Sequence, residues 1–134
     1  MGLNNVANDV KRWNEAFGHV DSDKERQKAK WESDSIHRTL ALALIEEEVS
    51  ELHEAVEDLD PVETLDAICD IFVVVLGLAA KAGLTDKVAP AFEEVMRSNW
   101  TKLDKDGKPV YHENGKIAKS DLYERPDLKQ FFEE

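Results

Sequence analysis

Several absences bound this chain before any motif does. It has one cysteine, Cys69, so no internal disulfide and no multi-cysteine zinc site can form, and a lone thiol fits a reducing compartment. The longest uncharged apolar run, residues 71–80, is too short to cross a bilayer. The opening "MGLNNVANDVKRW" has no apolar leader core and lacks the Ser or Thr at position 6 of a myristoylation signal. No membrane partner is expected, and the expected location is cytoplasmic. There is no internal repeat and no low-complexity tract.

Positive charge is missing from one long segment. Residues 39–80 carry eleven acids (Glu46, Glu47, Glu48, Glu51, Glu54, Glu57, Asp58, Asp60, Glu63, Asp66, Asp70) and no Lys or Arg. The remainder of the chain is nearly balanced, with 18 acids against 17 bases, so almost all of the net −12 lies in that segment. A duplex-binding protein would present a basic face, so nucleic acid is not an expected partner. The acids must find cations in solvent, in a metal, or in the flanking basic residues.

What is present reads as helix. A hydrophobic fraction of 42% in 134 residues supports one folded domain with a modest core. We expect a single domain over 1–134, with a helical core over 1–103 and a C-terminal arm over 104–134. Val6, Val10, Trp13 and Phe17 recur at helical spacing, predicting a helix over residues 4–17 stopped by Gly18. Residues 18–33 are polar and lysine-rich and read as a loop with helical turns. Ser33 or Asp34 caps a second helix running to about residue 59. Asp60-Pro61-Val62-Glu63 restarts the chain as a third helix, with Pro61 at its first position and a capping-box spacing, ending at Gly83. Thr85 or Asp86 opens a fourth, in which Pro90 is tolerable only near the first turn. Beyond residue 104, Asp106-Gly107 and Asn114-Gly115 bracket a strand-like "PVYH".

On a helical wheel, Glu48 and Glu51 of the second helix fall inside the apolar arc and Glu47 lies at its edge, whereas Glu46 and Glu57 point away. Asp66 and Asp70 share a face of the third helix with Glu63. Past Asp70 that helix is apolar all round, the pattern of an element buried on every side, which in so small a chain implies a second subunit. A hairpin of these two helices can set Glu47, Glu48 and Glu51 opposite Asp66 and Asp70. Facing carboxylates without Lys or Arg make a hard-cation site suited to Mg²⁺ or Mn²⁺. The alternative reading of a glutamate-rich helix is a plain solvated face. His37 lies nearly three turns before Glu47 and reads as a packed histidine. Trp13, Trp31 and Trp100 read as core or interface residues, with the region of Trp13 and Phe17 the better guess for a wall of a base pocket.

The segment "EEVSE" (residues 47–51), then "DAICD" (residues 66–70) running into a long apolar helix, resembles the MazG-like all-α nucleoside triphosphate pyrophosphohydrolase superfamily, marked by EExxE followed by ExxD. The stretch "RSNWTKLDKDGKPVYHENGKIAKSDLY" (residues 97–123) resembles the S-N-x-x-K-L…D-G-K-P…G-K…K tail of a phage and bacterial branch described as phosphoribosyl-ATP pyrophosphohydrolase-like. One departure stands out. The usual ExxD would put a glutamate at position 67, where this chain has Ala67, and Asp66 stands one residue earlier. "ETLD" (Glu63, Asp66) is a second ExxD one turn upstream. Asp66 with Asp70 is the favoured pair because Asp70 directly precedes the apolar run, and Glu63 remains the alternative.

The resemblance implies an all-α helical bundle completed by a homodimer or homotetramer, and Mg²⁺-dependent cleavage of the α–β phosphate bond of a nucleotide. It implies metal ligands among Glu47, Glu48, Glu51, Asp66 and Asp70, with Glu47 or Glu48 as the general base. It places Asn99, Lys102, Lys116 and Lys119 on the substrate's phosphates. The expected function is hydrolysis of nucleoside or deoxynucleoside triphosphates in nucleotide-pool housecleaning. The alternatives are phosphoribosyl-ATP pyrophosphohydrolase of histidine biosynthesis and a non-catalytic acidic interaction module.

Overall fold

The structure is a computed structural model and describes residues 2–133. Five α-helices follow one another: α1 Leu3–Ala16, α2 Lys24–Ser33, α3 Ser35–Glu57, α4 Pro61–Lys81 and α5 Thr85–Trp100, with a short 3₁₀ turn at Lys129–Phe131. Among the described residues there is no β-strand. The expected strand-like piece is a single antiparallel bridge, Tyr111 to Ile117. By packing, the chain groups into two compact units, Met1–Asp86 and Lys87–Glu134, each described here by itself. No single helix among the described residues is long and apolar enough to cross a membrane.

In the first unit, α3 and α4 form a helical hairpin, α1 packs on α4, and α2 lies against α3 and α4. The hairpin turn is fixed by hydrogen bonds at both helix ends. At the end of α3, Leu59 N–H donates to Val56 O (3.1 Å) and Asp60 N–H to Ala55 O (3.2 Å), a Schellman closure that needs a left-handed residue. Leu59 supplies it at φ 54°, the one described non-glycine residue with positive φ and a conformation costly for a side chain. Asp60 then caps α4: its carboxylate accepts from Val62 N (3.1 Å) and Glu63 N (3.1 Å), with Pro61 in the first turn. The expected capping box does not close back on Asp60, because the Asp60 N–H is already spent on Ala55 O. Asp34 caps α3 in the same way, accepting from Ile36 N and His37 N.

Two expectations are corrected. Residues 24–33 are not a loop but α2, opened by the Asp23 side chain accepting from Arg26 N (3.0 Å). Hydrophobic periodicity is silent there because the one buried side chain of α2 is polar, Gln27. Pro90 sits at the sixth position of α5, past the first turn, so the helix forgoes one i→i−4 bond. Within the single chain α4 is covered on one side only. Leu76, Ala79 and Ala80 are buried, while Phe72, Val73 and Val75 are exposed.

The core is unusual in composition. Apart from Val20 and Leu76, the buried hydrophobic residues are all alanines: Ala7, Ala41, Ala55, Ala67, Ala79, Ala80 and Ala118. Small residues let the helices approach closely. At Gly77 an added Cβ would lie 3.4 Å from the Asn14 side-chain nitrogen, so α1 and α4 meet with little room between them.

The second unit is tied by polar bonds. Ser98 Oγ donates to Glu124 O (2.7 Å), Ser120 Oγ to Leu103 O (2.8 Å), and Asp127 N–H to Glu94 (2.7 Å). Arg97 bridges Glu94 (2.6 Å) and Glu124 (2.7 Å), and its guanidinium with the Asp127 N–H pulls the Glu94 pKa down to about 2.

Asp60→Ala should remove the α4 cap and lower stability by about 1 kcal/mol, a shift of several degrees in Tm, with helical circular dichroism retained at low temperature. A thermal melt checks it.

Candidate metal centre

The carboxylates singled out from the sequence come from the two arms of the hairpin. Glu48 and Glu51, three residues apart, project from the same side of α3, and Asp70 meets them from α4. One oxygen from each lies within 4.8 Å of the other two. Glu48 and Asp70 are half-buried and Glu51 is exposed. The buried alanines Ala55 and Ala67 keep the helices close enough for this convergence.

Electrostatics at this point are unfavourable for the protein alone. Burial pushes the Glu48 carboxyl above its usual range; a hydrogen bond shared with Glu51 and the charges of Glu51, Asp70 and Glu47 push it further. Glu48 Oε2 is buried with no hydrogen-bond partner. An acceptor left in that state costs about 1–3 kcal/mol. No Lys or Arg lies between Arg38 and Lys81 to relieve it from the hairpin itself. Three converging carboxylates, one of them carrying an orphaned oxygen, with no nitrogen or sulfur donor among them, fit a hard divalent cation.

The remaining expected ligands stand apart from this triad. Glu47 is exposed, and its charge adds to the proton affinity of Glu48. Asp66 is exposed and lines a groove of about 360 Å³ together with Glu51, Glu54, Asp58, Asp60 and Glu63. Asp66 and Glu63, the two candidate partners of Asp70, therefore share the groove, while Asp70 itself meets Glu48 and Glu51. Position 67 is buried in the wall of the same groove, so the alanine there withholds a carboxylate from it. The groove acids Glu54, Asp58 and Asp60 were not singled out as site residues; a signal was available in their common absence of basic partners.

Asn99, Lys102, Lys116 and Lys119 all belong to the second unit. Asn99 is exposed, its amide nitrogen 3.7 Å from Met96 Sδ. Lys102 is half-buried at the turn after α5, Lys116 follows the Asn114-Gly115 turn, and the Lys119 ammonium sits 4.7 Å over the Tyr123 ring. His37, expected to be a packed histidine, is half-buried and bonds Gln27.

Comparison with curated proteins and with solved structures gave no match. A family model described as phosphoribosyl-ATP pyrophosphohydrolase matches residues 10–99, a span that holds α2, α3, α4 and all three carboxylates of the triad. The match ends at residue 99, ahead of the lysine-bearing tail. Covering well over half of the sequence, it shows that this chain belongs to the phosphoribosyl-ATP pyrophosphohydrolase family, within the MazG-like all-α nucleoside triphosphate pyrophosphohydrolase superfamily, a grouping of nucleotide pyrophosphohydrolases.

Proposed function

We propose that the chain is a divalent-cation-dependent hydrolase that cuts the α–β phosphate bond of nucleoside or deoxynucleoside triphosphates, releasing monophosphate and pyrophosphate in a nucleotide-pool housecleaning role. The observation that carries this reading is the convergence of the Glu48, Glu51 and Asp70 carboxylates, with one oxygen of Glu48 buried and unpartnered. Glu48, Glu51 and Asp70 would hold the ion, Mg²⁺ or Mn²⁺, with Glu47 and Asp66 completing the acid set. Such an ion supplies neutralising charge for the phosphate oxygens and acidifies water. Glu47 or Glu48 takes the proton of the attacking water: Glu47 is an open carboxylate, and Glu48 already has a raised proton affinity. The groove acids repel any anion that lacks a cation, so they favour a metal-bound nucleotide over a free one.

A second reading, hydrolysis of phosphoribosyl-ATP in histidine biosynthesis, is favoured by the family that matches residues 10–99. Pyrophosphate release from a panel of nucleoside triphosphates and phosphoribosyl-ATP, with Mg²⁺, decides between them. Release from phosphoribosyl-ATP alone selects the second reading, and release from none selects a non-catalytic module.

The working unit is proposed to be a homodimer or homotetramer. A core built mostly of alanine leaves the large side chains outside: Ile36, Leu40, Leu65 and Phe72 are all more than half exposed. A second copy of the chain would cover the bare side of α4. Asn99, Lys102, Lys116 and Lys119 are proposed to bind the phosphates. None of the three lysines forms a salt bridge among the described residues, which leaves their charge uncompensated.

Four outcomes test this proposal. Mg²⁺ should raise Tm at about pH 7.5 and do so less near pH 5, because a Glu48 pKa raised in the folded state makes protonation compete with the ion. Asp70→Asn should remove the Mg²⁺ effect and the turnover, yet raise Tm without metal by on the order of a few degrees, since it deletes a repulsive charge; a metal-free melt no higher than the parent's would refute the repulsion. Lys102→Ala should raise KM about tenfold with the metal-induced shift intact; unchanged kinetics would leave Lys102 without a role on phosphate. Sedimentation equilibrium at micromolar concentration should show a dimer or larger species, and a folded monomer would overturn the assembly.

A further inference from the structure

α2 is a helix without an apolar stripe, and its one buried side chain, the Gln27 amide, ties it to the rest of the first unit. Gln27 is 3% exposed. Its Oε1 accepts from the Asp21 backbone N–H (2.8 Å), and its Nε2 donates to the Lys81 carbonyl at the end of α4 (2.9 Å). A backbone N–H can only donate and a carbonyl can only accept, so these two bonds fix which end of the amide is oxygen and which is nitrogen. The third contact is then determined. Gln27 Nε2 lies 3.2 Å from His37 Nε2 at the start of α3, and an amide nitrogen has only hydrogens to offer. His37 Nε2 must therefore present its lone pair, with the ring neutral and its proton on Nδ1. We propose that His37 is a proton-sensitive latch: the neutral ring holds Gln27, and with it α2, against the α3–α4 hairpin, and protonation of His37 releases α2.

The surroundings work in the same direction. Protonation would set Nε2–H against the Gln27 N–H at hydrogen-bond distance, and no acceptor replaces the lost one. The charged and titratable groups facing His37 are Lys30 from α2, Lys81 from α4, His19 from the segment before α2, and Asp34 at the α3 cap. Three of the four oppose a positive ring. Asp34 is already engaged with Ile36 N and His37 N. Lys81 is 5% exposed and forms no salt bridge among the described residues. The other bonds holding α2 are few: Arg38 donates to Trp31 O (2.7 Å) and Glu32 O (2.9 Å), and the Trp31 ring meets the His37 ring edge-on at 6.0 Å. Burial foremost, then Lys30 and Lys81, holds the His37 pKa below the ordinary imidazole value. A depressed histidine pKa means that the unfolded or detached state takes up the proton first. The latch is thus whole above the ordinary pKa, near ~6.5, and weakens as pH falls from there through the lower folded value.

Amide hydrogen exchange of the parent protein, corrected for intrinsic rates, tests the latch at about pH 7.5 and about pH 5.5, the range over which an imidazole titrates. Protection of residues 24–33 should fall by up to about tenfold for each pH unit below the ordinary imidazole value of ~6.5, levelling off once the lower folded value is passed, while the α3–α4 hairpin keeps its protection. Equal protection of residues 24–33 at the two pH values overturns the proposal. Ring ¹⁵N spectra at the higher pH should show the His37 proton on Nδ1, and a proton on Nε2 likewise overturns it. His37→Gln keeps an acceptor and removes the titration, so α2 should stay protected at both pH values. A full pH-dependent loss in that variant assigns the effect elsewhere; should the variant not fold, the exchange and ring spectra of the parent decide alone.

Discussion

The mutual repulsion of Glu48, Glu51 and Asp70 is the constraint around which the hairpin is organised. Oxygens within 4.8 Å of one another repel by about 1–3 kcal/mol per ionised pair between the limits of bulk water and an effective dielectric of about 20. Burial of Glu48 moves its pairs toward the upper figure, and exposure of Glu51 lets solvent screen the rest. A folded chain can hold such a group only if something else fixes the two helices in register. Here that is the turn: the Schellman closure at Leu59 spends the last carbonyls of α3, and the Asp60 cap spends the first amides of α4. With both helix ends fixed across three residues, α4 has one way to return along α3, and Asp70 arrives opposite Glu48.

Alanine is the second part of that arrangement. Ala55 and Ala67 are buried where the helices face each other, and a larger residue at either position would spread the arms and with them the carboxylates. The same choice has a cost in core volume. A chain whose buried residues are mostly alanine removes little apolar surface from water, at about 25 cal/mol per Å². The large residues Phe72, Val73 and Val75 remain on the outside of α4. Close approach at the acid site and an uncovered face elsewhere on the same helix are thus two consequences of one composition.

How much was legible in the sequence follows from which signals are periodic. The triad was, because apolar spacing located the faces of α3 and α4 and the absence of any Lys or Arg over residues 39–80 left the acids uncompensated. The turn was, through Asp60-Pro61. α2 was not, since a helix held by a buried glutamine leaves no stripe to read, and its start lay only in the Asp23 cap. Position 67 is a departure whose meaning needs the fold: Ala67 is buried in the wall of the same groove that Asp66 lines, so a missing glutamate there lowers the donor count of that groove. The burial of Lys81 was not legible at all. A lysine closing an apolar helix reads as a favourable C-terminal charge, yet Lys81 is buried, with Gln27 of α2 bonded to its carbonyl.

Charge is therefore segregated within the first unit. Its carboxylates gather where α3 and α4 run side by side near their connecting turn, and their proton affinity is raised at Glu48. Its buried cation and neutral histidine gather where α4 ends and α3 begins, and the pKa of each is lowered. Each cluster resists its own ionised form, in opposite senses. Acidification relieves the carboxylate end, since a protonated Glu48 can donate to Glu51, and it strains the histidine end, where a charged ring meets Lys30 and Lys81. Raising the pH does the reverse. Both clusters are satisfied together only when the histidine end stays neutral and the charge of the carboxylate end is compensated, and the two share no residue.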